Sequence, residues 1–280
     1  MNIETAIKKA TLDLKRNNIK TSLLDSEILM SQALKKDRKF LFLNPNKELN
    51  TVQYQKFKKL ISSRLRSKPI AYITEKKFFW KYEFKINNKV LIPRPDTELI
   101  IEQVLEIYKF KNRINLLEIG IGSGCIILSI LKEKKNFLGK GLDLSKDSIQ
   151  LCKTNADNLK VNNRLKLFKT DIDNFNIGKY DLIISNPPYI KKLDLNYLDK
   201  DVIKYEPRLA LDGGLDGLSE IRKFVKKSSE LIKKRGRLFL EISHDQKNEV
   251  KKILTENGFY INKTVKDLAE NDRCIISTKK

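Results

Sequence analysis

Histidine is almost missing from this chain, His244 being the only one. Cysteine is scarce as well: Cys125, Cys152 and Cys274 are an odd, scattered set without a Cys-x-x-Cys pair. Those two shortages exclude a disulfide scaffold, a zinc site and any mechanism that needs two histidines, and no metal ligands are expected. No apolar run approaches the roughly 20 residues of a membrane helix; the best candidate, Cys125 to Leu131, is short and contains Ser129. Met1 to Ala10 carries Glu4, Lys8 and Lys9 with no apolar stretch behind them, unlike a secretory signal. A soluble, cytoplasmic protein is therefore expected. Arginine is sparse too, with 12 among 57 basic residues, although it is the preferred fork for phosphates and base edges.

Lysine is what the chain has in excess. Fifty-seven Lys and Arg against 35 Asp and Glu give a formal charge of +22 over 280 residues, which points toward an anionic surrounding or partner. Because the lysines are spread along the whole chain, solvated helix faces explain them as well as a functional basic surface does. With 40% hydrophobic and 8% aromatic residues, the chain can still bury a core. Its length fits one large domain plus a small one, or two domains.

The apolar pattern divides the chain. Ile3, Ala6, Ile7, Ala10 and Leu14, then Leu24, Ile28, Leu29 and Leu34, then Val52, Phe57, Leu60, Ile61 and Leu65 fall at helical spacing, with Asn44-Pro45-Asn46 as a break and Asn50 or Thr51 as a cap. A small helical bundle is expected there. From Phe78 the period changes to two: Phe78, Trp80, Tyr82, Phe84 and Ile86 read as one strand, Asn87-Asn88 as a tight turn, and Val90 with Ile92 as the returning strand. Such a hairpin would make a stiff joint. Beyond Asn115, short apolar runs alternate with helical stretches: 116–119, 137–144, 165–168, 180–185 and 238–242, closed by 259–265 and 274–277 as an antiparallel pair. That alternation predicts an α/β fold, a mostly parallel sheet covered on both faces.

Two loops in this second part carry chemistry. The buried-strand signature Leu116-Leu117-Glu118-Ile119 runs straight into Gly120-Ile121-Gly122-Ser123-Gly124, where the backbone must turn sharply and let a ligand approach. Asp143 ends the next strand 19 residues later, at the distance where a carboxylate accepts from the hydroxyls of an adenosine ribose. The third glycine of the dinucleotide fingerprint is displaced, and Glu118 would repel a pyrophosphate. Both details favour S-adenosyl-L-methionine over a nicotinamide cofactor.

The second loop is Asn186-Pro187-Pro188-Tyr189, at the end of the strand Asp181 to Ser185. The Asn186 carboxamide and the Pro187 carbonyl can hold an –NH2 group by both of its hydrogens, and Tyr189 offers a face for a planar group. An amide or exocyclic base nitrogen is a poor nucleophile because its lone pair is delocalised. Two acceptors on its hydrogens favour pyramidal geometry and aim the lone pair, so this is catalysis by orientation.

At this point the chain resembles the PrmC (HemK) family, S-adenosylmethionine-dependent methyltransferases acting on the glutamine of the Gly-Gly-Gln motif in peptide chain release factors. The likeness runs through Lys68-Pro69-Ile70-Ala71-Tyr72-Ile73, Phe78-Phe79-Trp80, Leu91-Ile92-Pro93-Arg94-Pro95-Asp96-Thr97-Glu98-Leu99, Tyr205-Glu206-Pro207, Gly213-Gly214, Asp216-Gly217 and Leu240-Glu241. The resemblance implies a helical substrate-binding bundle over 1–75, a β-hairpin linker over 76–92, and a class I, Rossmann-like, seven-stranded methyltransferase domain over 93–280. It implies cofactor contacts from Gly120, Ile121, Gly122, Ser123, Gly124, Asp143, Ile172 and Asn186. Catalysis would rest on Asn186, Pro187 and Tyr189, with Asn186, Pro187, Pro188 and Tyr189 gripping the glutamine. Ile172 stands where the family often has a tryptophan near the adenine, so it packs without stacking. The partners implied are class 1 release factors as substrate, with no membrane, no required nucleic acid, and a monomeric enzyme; the basic surface would permit weak nucleic-acid contact.

The chief alternative is an amino methyltransferase acting on adenine or guanine of RNA or DNA, which the charge would suit and the small bundle and few arginines would not. A ribosome-associated binding protein with a decayed site is opposed by the intact glycines, Asp143 and Asn186 loop. Arg94 is read as reaching the pocket or pairing with Asp96 or Glu98. His244 is read as a structural or surface residue, and Cys125 as a small buried apolar one.

Overall fold

The computed structural model describes residues 1–280. In chain order the first elements are α1 (Ile3–Arg16), α2 (Ser22–Leu34), α3 (Arg38–Leu43), α4 (Thr51–Leu65), α5 (Ile70–Thr74), β1 (Lys76–Phe79) and β2 (Tyr82–Lys85). There follow α6 (Glu98–Ile107), β3 (Asn115–Ile119), α7 (Cys125–Glu133), β4 (Leu138–Asp143), α8 (Lys146–Asn158), β5 (Leu165–Lys169) and β6 (Tyr180–Ser185). The last are α9 (Lys200–Tyr205), α10 (Ser219–Leu231), β7 (Ile232–Glu241), α11 (Lys247–Glu256), β8 (Phe259–Lys266) and β9 (Asp272–Lys279). No helix is long and apolar enough to cross a membrane.

The chain forms two compact units, Met1–Glu75 with Asp199–Tyr205, and Lys76–Leu198 with Glu206–Lys280. In the helical unit α1 buries the five residues that its periodicity singles out, Ile3, Ala6, Ile7, Ala10 and Leu14. Asn50 caps α4 in a reciprocal box with Gln53, satisfying two backbone donors at once. The buried stripe of α2 departs from expectation: Leu24 is exposed, while Asp25, Ser26 and Glu27 are buried. Asp25 faces the Arg64 guanidinium at 2.7 Å and Glu27 pairs with Arg38, so charge pairing overrides the apolar pattern. Asp199–Tyr205, read from sequence as part of 93–280, groups with the helices, and the Tyr205 hydroxyl donates to the Arg66 carbonyl at 2.9 Å.

The hairpin reverses at Trp80-Lys81, not at Asn87-Asn88. Phe79 pairs with Tyr82 and Phe78 with Glu83, so the alternation from Phe78 to Ile86 spans two strands, and Val90 with Ile92 form none. The reversal flips the faces: Phe79 and Phe84 are buried, whereas Phe78 is exposed. Trp80 sits in the left-handed region at φ 57° and is held there by tertiary bonds. Its N–H donates to Glu98 at 2.7 Å, and its indole and the Tyr82 hydroxyl both donate to Glu133, at 2.9 and 3.0 Å.

The remaining strands make a seven-stranded sheet in the order β5-β4-β3-β6-β7-β9-β8. The first five run parallel, and β9 lies antiparallel between β7 and β8. This is the class I methyltransferase arrangement. Its core gathers Leu117, Ile119, Ile183, Leu238, Leu240 and Ile275 from the central strands, with Ile221, Val225, Val250 and Leu254 from α10 and α11.

Candidate active site

The site begins where two parallel neighbours end together. Ile119 of β3 and Ser185 of β6 are in register, and the Ser185 hydroxyl donates to the Ile119 carbonyl at 3.0 Å. Since β4 and β5 lie to one side of β3 and β6 to the other, the strand order reverses between them, which opens a crevice at their carboxyl ends. The glycine loop leaves β3 there and the Asn186 loop leaves β6.

Gly120 and Gly122 have φ of +75° and +51°, a conformation that side chains resist, and a Cβ on either would meet nothing within 4 Å. These glycines serve the turn and leave their surroundings open. Gly124 differs: a Cβ there would lie 2.5 Å from Cys152 Sγ, so this glycine lets α7 and α8 pack closely, and it does not line the cleft. Helix packing is thus a reason of its own for glycine at this position, beside the cofactor contact expected of it.

Glu118 is 2% exposed, and its Oε2 accepts from the Ile127 N–H at 2.8 Å. Burial pushes its carboxyl well above the usual range, against the opposing pull of that amide. A carboxylate thus satisfies the first turn of α7, the place where a nucleotide-binding loop would seat a phosphate. Asp143 accepts from Gly122 N–H at 3.0 Å and from Ser145 N–H at 2.8 Å, one bond to each oxygen, which leaves each a second lone pair. Burial raises its carboxyl above the usual value, and those two amides hold it back.

Gly120, Ile121, Gly122, Ser123, Asp143, Ile172, Asn186 and Pro188 line a single cleft, joined by Glu118, Arg94, Thr97 and Asp171. Ile172 is buried on its wall. Asp171 beside it lies below the ordinary carboxylate value because it accepts from the Asp173 N–H and pairs with Lys223.

Pro187 and Tyr189 are not on the cleft wall. Pro187 is buried, and its carbonyl accepts no bond from the protein. The Tyr189 ring packs against the core and its hydroxyl donates to Glu241 Oε1 at 3.3 Å, in place of the stacking face expected of it. Burial and the nearby Glu241 raise the phenol above its ordinary value. Gln246 braces the loop from outside, donating to the carbonyls of Tyr189 and Gly217, each at 3.0 Å.

Sequence reasoning placed Arg94 at the pocket, where it is, but gave no role to Glu206, Thr97 or Glu241. Arg94 pairs with Glu206 at 2.6 Å, neither with Asp96 nor with Glu98. Thr97 and Glu241 sit behind Asn186: Asn186 Nδ2 donates to Thr97 Oγ1 at 3.3 Å, and the Thr97 hydroxyl favours the charged form of Glu241. Only Glu241 had a readable signal, an acid closing an apolar strand. His244 is exposed and Cys125 buried, as expected.

Residues 5–74 match the model of the PrmC N-terminal domain, and residues 95–215 that of the methyltransferase small domain. A release factor glutamine methyltransferase of Clostridium acetobutylicum is 38% identical over 100% of this chain and 99% of its own. The chain belongs to that family. A Caulobacter vibrioides release factor glutamine methyltransferase is 34% identical, over 91% of this chain and 89% of its own. A methyltransferase from Pyrococcus furiosus, 18% identical, shares the fold with a TM-score of 0.51 over 70% of this chain and 88% of that one. As in a methyltransferase of this family, the cofactor is S-adenosyl-L-methionine. The donor set fits it, with an Asp143 carboxyl at the end of β4 for ribose hydroxyls and the Glu118 side chain already occupying the helix-start amide where a pyrophosphate would seat.

Proposed function

We propose that this protein methylates the side-chain amide nitrogen, N5, of the glutamine in the Gly-Gly-Gln motif of class 1 peptide chain release factors. The observation that carries the reading is the pair of acceptors in the Asn186 loop: Asn186 spends its Nδ2 on Thr97, leaving Oδ1 for another donor, and the Pro187 carbonyl has no donor from the protein. A primary amide has two hydrogens to match. Gly120 to Ser123, Asp143 and Ile172 would hold the cofactor, which when bound supplies an electrophilic methyl group. Asn186 orients the amide from the cleft wall that Pro188 shapes, and Pro187, buried off that wall, would supply the second acceptor through its free carbonyl. The helical unit, 1–75 in this reading, would receive the body of the release factor, and the enzyme would work as a monomer.

Purified release factor and total RNA, offered separately with methyl-labelled cofactor and mapped by mass spectrometry, test the reading. Label on the Gly-Gly-Gln glutamine is expected. Label on RNA alone overturns it.

A further inference from the structure

The Asn186 carboxamide can meet the cleft in two ways that differ by a half-turn, and only one offers an acceptor to an incoming –NH2 group. Which way it lies depends on Thr97. A hydroxyl has a single proton, so Thr97 Oγ1 accepts from Asn186 Nδ2, as it does at 3.3 Å, only while that proton points elsewhere. Thr97 is 2% exposed, so bulk water does not settle the matter. Its other polar neighbour is Glu241, 1% exposed at the end of β7, whose charged form the Thr97 hydroxyl favours. Glu241 Oε1 accepts from Tyr189, while its buried Oε2 has no hydrogen-bond partner. An unpaired buried acceptor is costly, and the Thr97 hydroxyl is a donor that can meet it.

We propose that Glu241, acting through Thr97, is a positioning residue that fixes which edge of the Asn186 carboxamide meets the substrate amide. The inference rests on the glutamine-amide reading above. With Glu241 as a carboxylate, Thr97 gives its proton to Glu241, Oγ1 accepts from Asn186 Nδ2, and Asn186 Oδ1 is presented to the cleft. With Glu241 protonated, the carboxyl donates to Thr97 Oγ1 and the Thr97 proton goes to Asn186 Oδ1. The carboxamide then turns Nδ2 toward the cleft, setting donor against donor.

The groups around Glu241 allow both states. The Tyr189 phenol donates to it from the Asn186 loop, and Arg273 on β9 favours its charge from beside Asp267. Asp96, near the start of α6, opposes the charge; Cys274 on β9 and Cys125 on α7 couple to it as buried thiols. Burial is the largest influence and lifts the carboxyl from 4.5 to about 7, within an ordinary assay range.

Two readouts keep this apart from the function it builds on. In side-chain amide NMR of the 15N-labelled protein, the Asn186 Nδ2 hydrogens should shift with a midpoint near pH 7, and the shift should vanish in Glu241→Gln and in Thr97→Val. That titration needs neither substrate nor turnover, and a flat Asn186 signal in the wild type overturns the proposal. In kinetics on release factor, Thr97→Ser should keep kcat within about threefold, whereas the isosteric Thr97→Val should lower it about thirtyfold with KM and cofactor Kd within about threefold. An unchanged kcat in Thr97→Val also overturns it. If the wild type transfers no methyl to release factor, the substrate reading fails while the titration still decides the role of Glu241.

Discussion

Both units of this protein bury acidic side chains, but they treat them differently. In the helical unit Asp25 and Glu27 are each paired with an arginine, Arg64 and Arg38. In the sheet unit Glu118 rests on one backbone amide, and Glu241 leaves Oε2 without any donor. A buried charge with a guanidinium against it is neutralised and locked, which suits a scaffold. A buried acid with incomplete partners keeps a raised pKa and an unsatisfied demand for a proton or a donor, and such groups gather where a ligand must be handled. Glu206 and Asp267 are the exceptions in the sheet unit, paired in the scaffold manner with Arg94 and Arg273.

The sharpest way to break this contrast is to remove the side chain that Thr97 and Glu241 hold. Asn186→Ala should lower kcat by about a hundredfold or more, because orientation and charge placement are the whole contribution of the loop. Its thermal midpoint should barely move, Asn186 being only half-buried. Undiminished turnover would dissolve the proposed clamp. The scaffold side of the contrast predicts the reverse pattern. Asp25→Ala strands the Arg64 guanidinium in a nearly closed site and should cost about 4 kcal/mol in urea unfolding. Cofactor affinity should be unchanged, and a variant of normal stability would show that the pair is not a lock.

How much of this was open to sequence reading depended on how local the cause was. Period-two and period-3.6 patterns located the seven strands of the sheet and α1, because burial against a large neighbour leaves that imprint on the chain itself. The glycine loop and the Asn186 loop were legible for a similar reason, each being a short segment directly behind a buried strand. The turn at Trp80-Lys81 was not, since Glu98 and Glu133, far along the chain, hold Trp80 in place while Asn87-Asn88 looked the better turn. Asp25 and Glu27 were missed because their partners come from other helices. The same holds for Thr97 and Glu241, which reach Asn186 from two other segments of the chain. The packing role of Gly124 was not legible either, because a ligand-facing glycine and a helix-packing glycine look alike until Cys152 is seen against it.

The mildest test concerns stability against pH, and its sign follows from Glu241. Burial raises its carboxyl to about 7 in the folded protein, above the ordinary 4.5 expected when unfolded. Below 4.5 both states carry the proton and the neutral side chain's contribution is fully present; between 4.5 and 7 the folded state holds a proton that the unfolded state has lost. Stability therefore falls as pH rises through that window, by at most about 3 kcal/mol for the full shift. Asp245, exposed, held down by a hydrogen bond from the Ser243 side chain and by its pairing with Lys191, works in the opposite sense, because a depressed carboxyl contributes stability that is lost only in acid, as pH falls toward about 2. Asp245 acts outside that window, but Glu118, which burial also raises, does not, so it is the comparison of Glu241→Gln with the wild type at pH 5 and pH 8 that isolates Glu241. Glu241→Gln should lose less stability between those two values than the wild type does. Equal slopes would mean that Glu241 is as well neutralised as Asp25, and the difference between the two units would disappear.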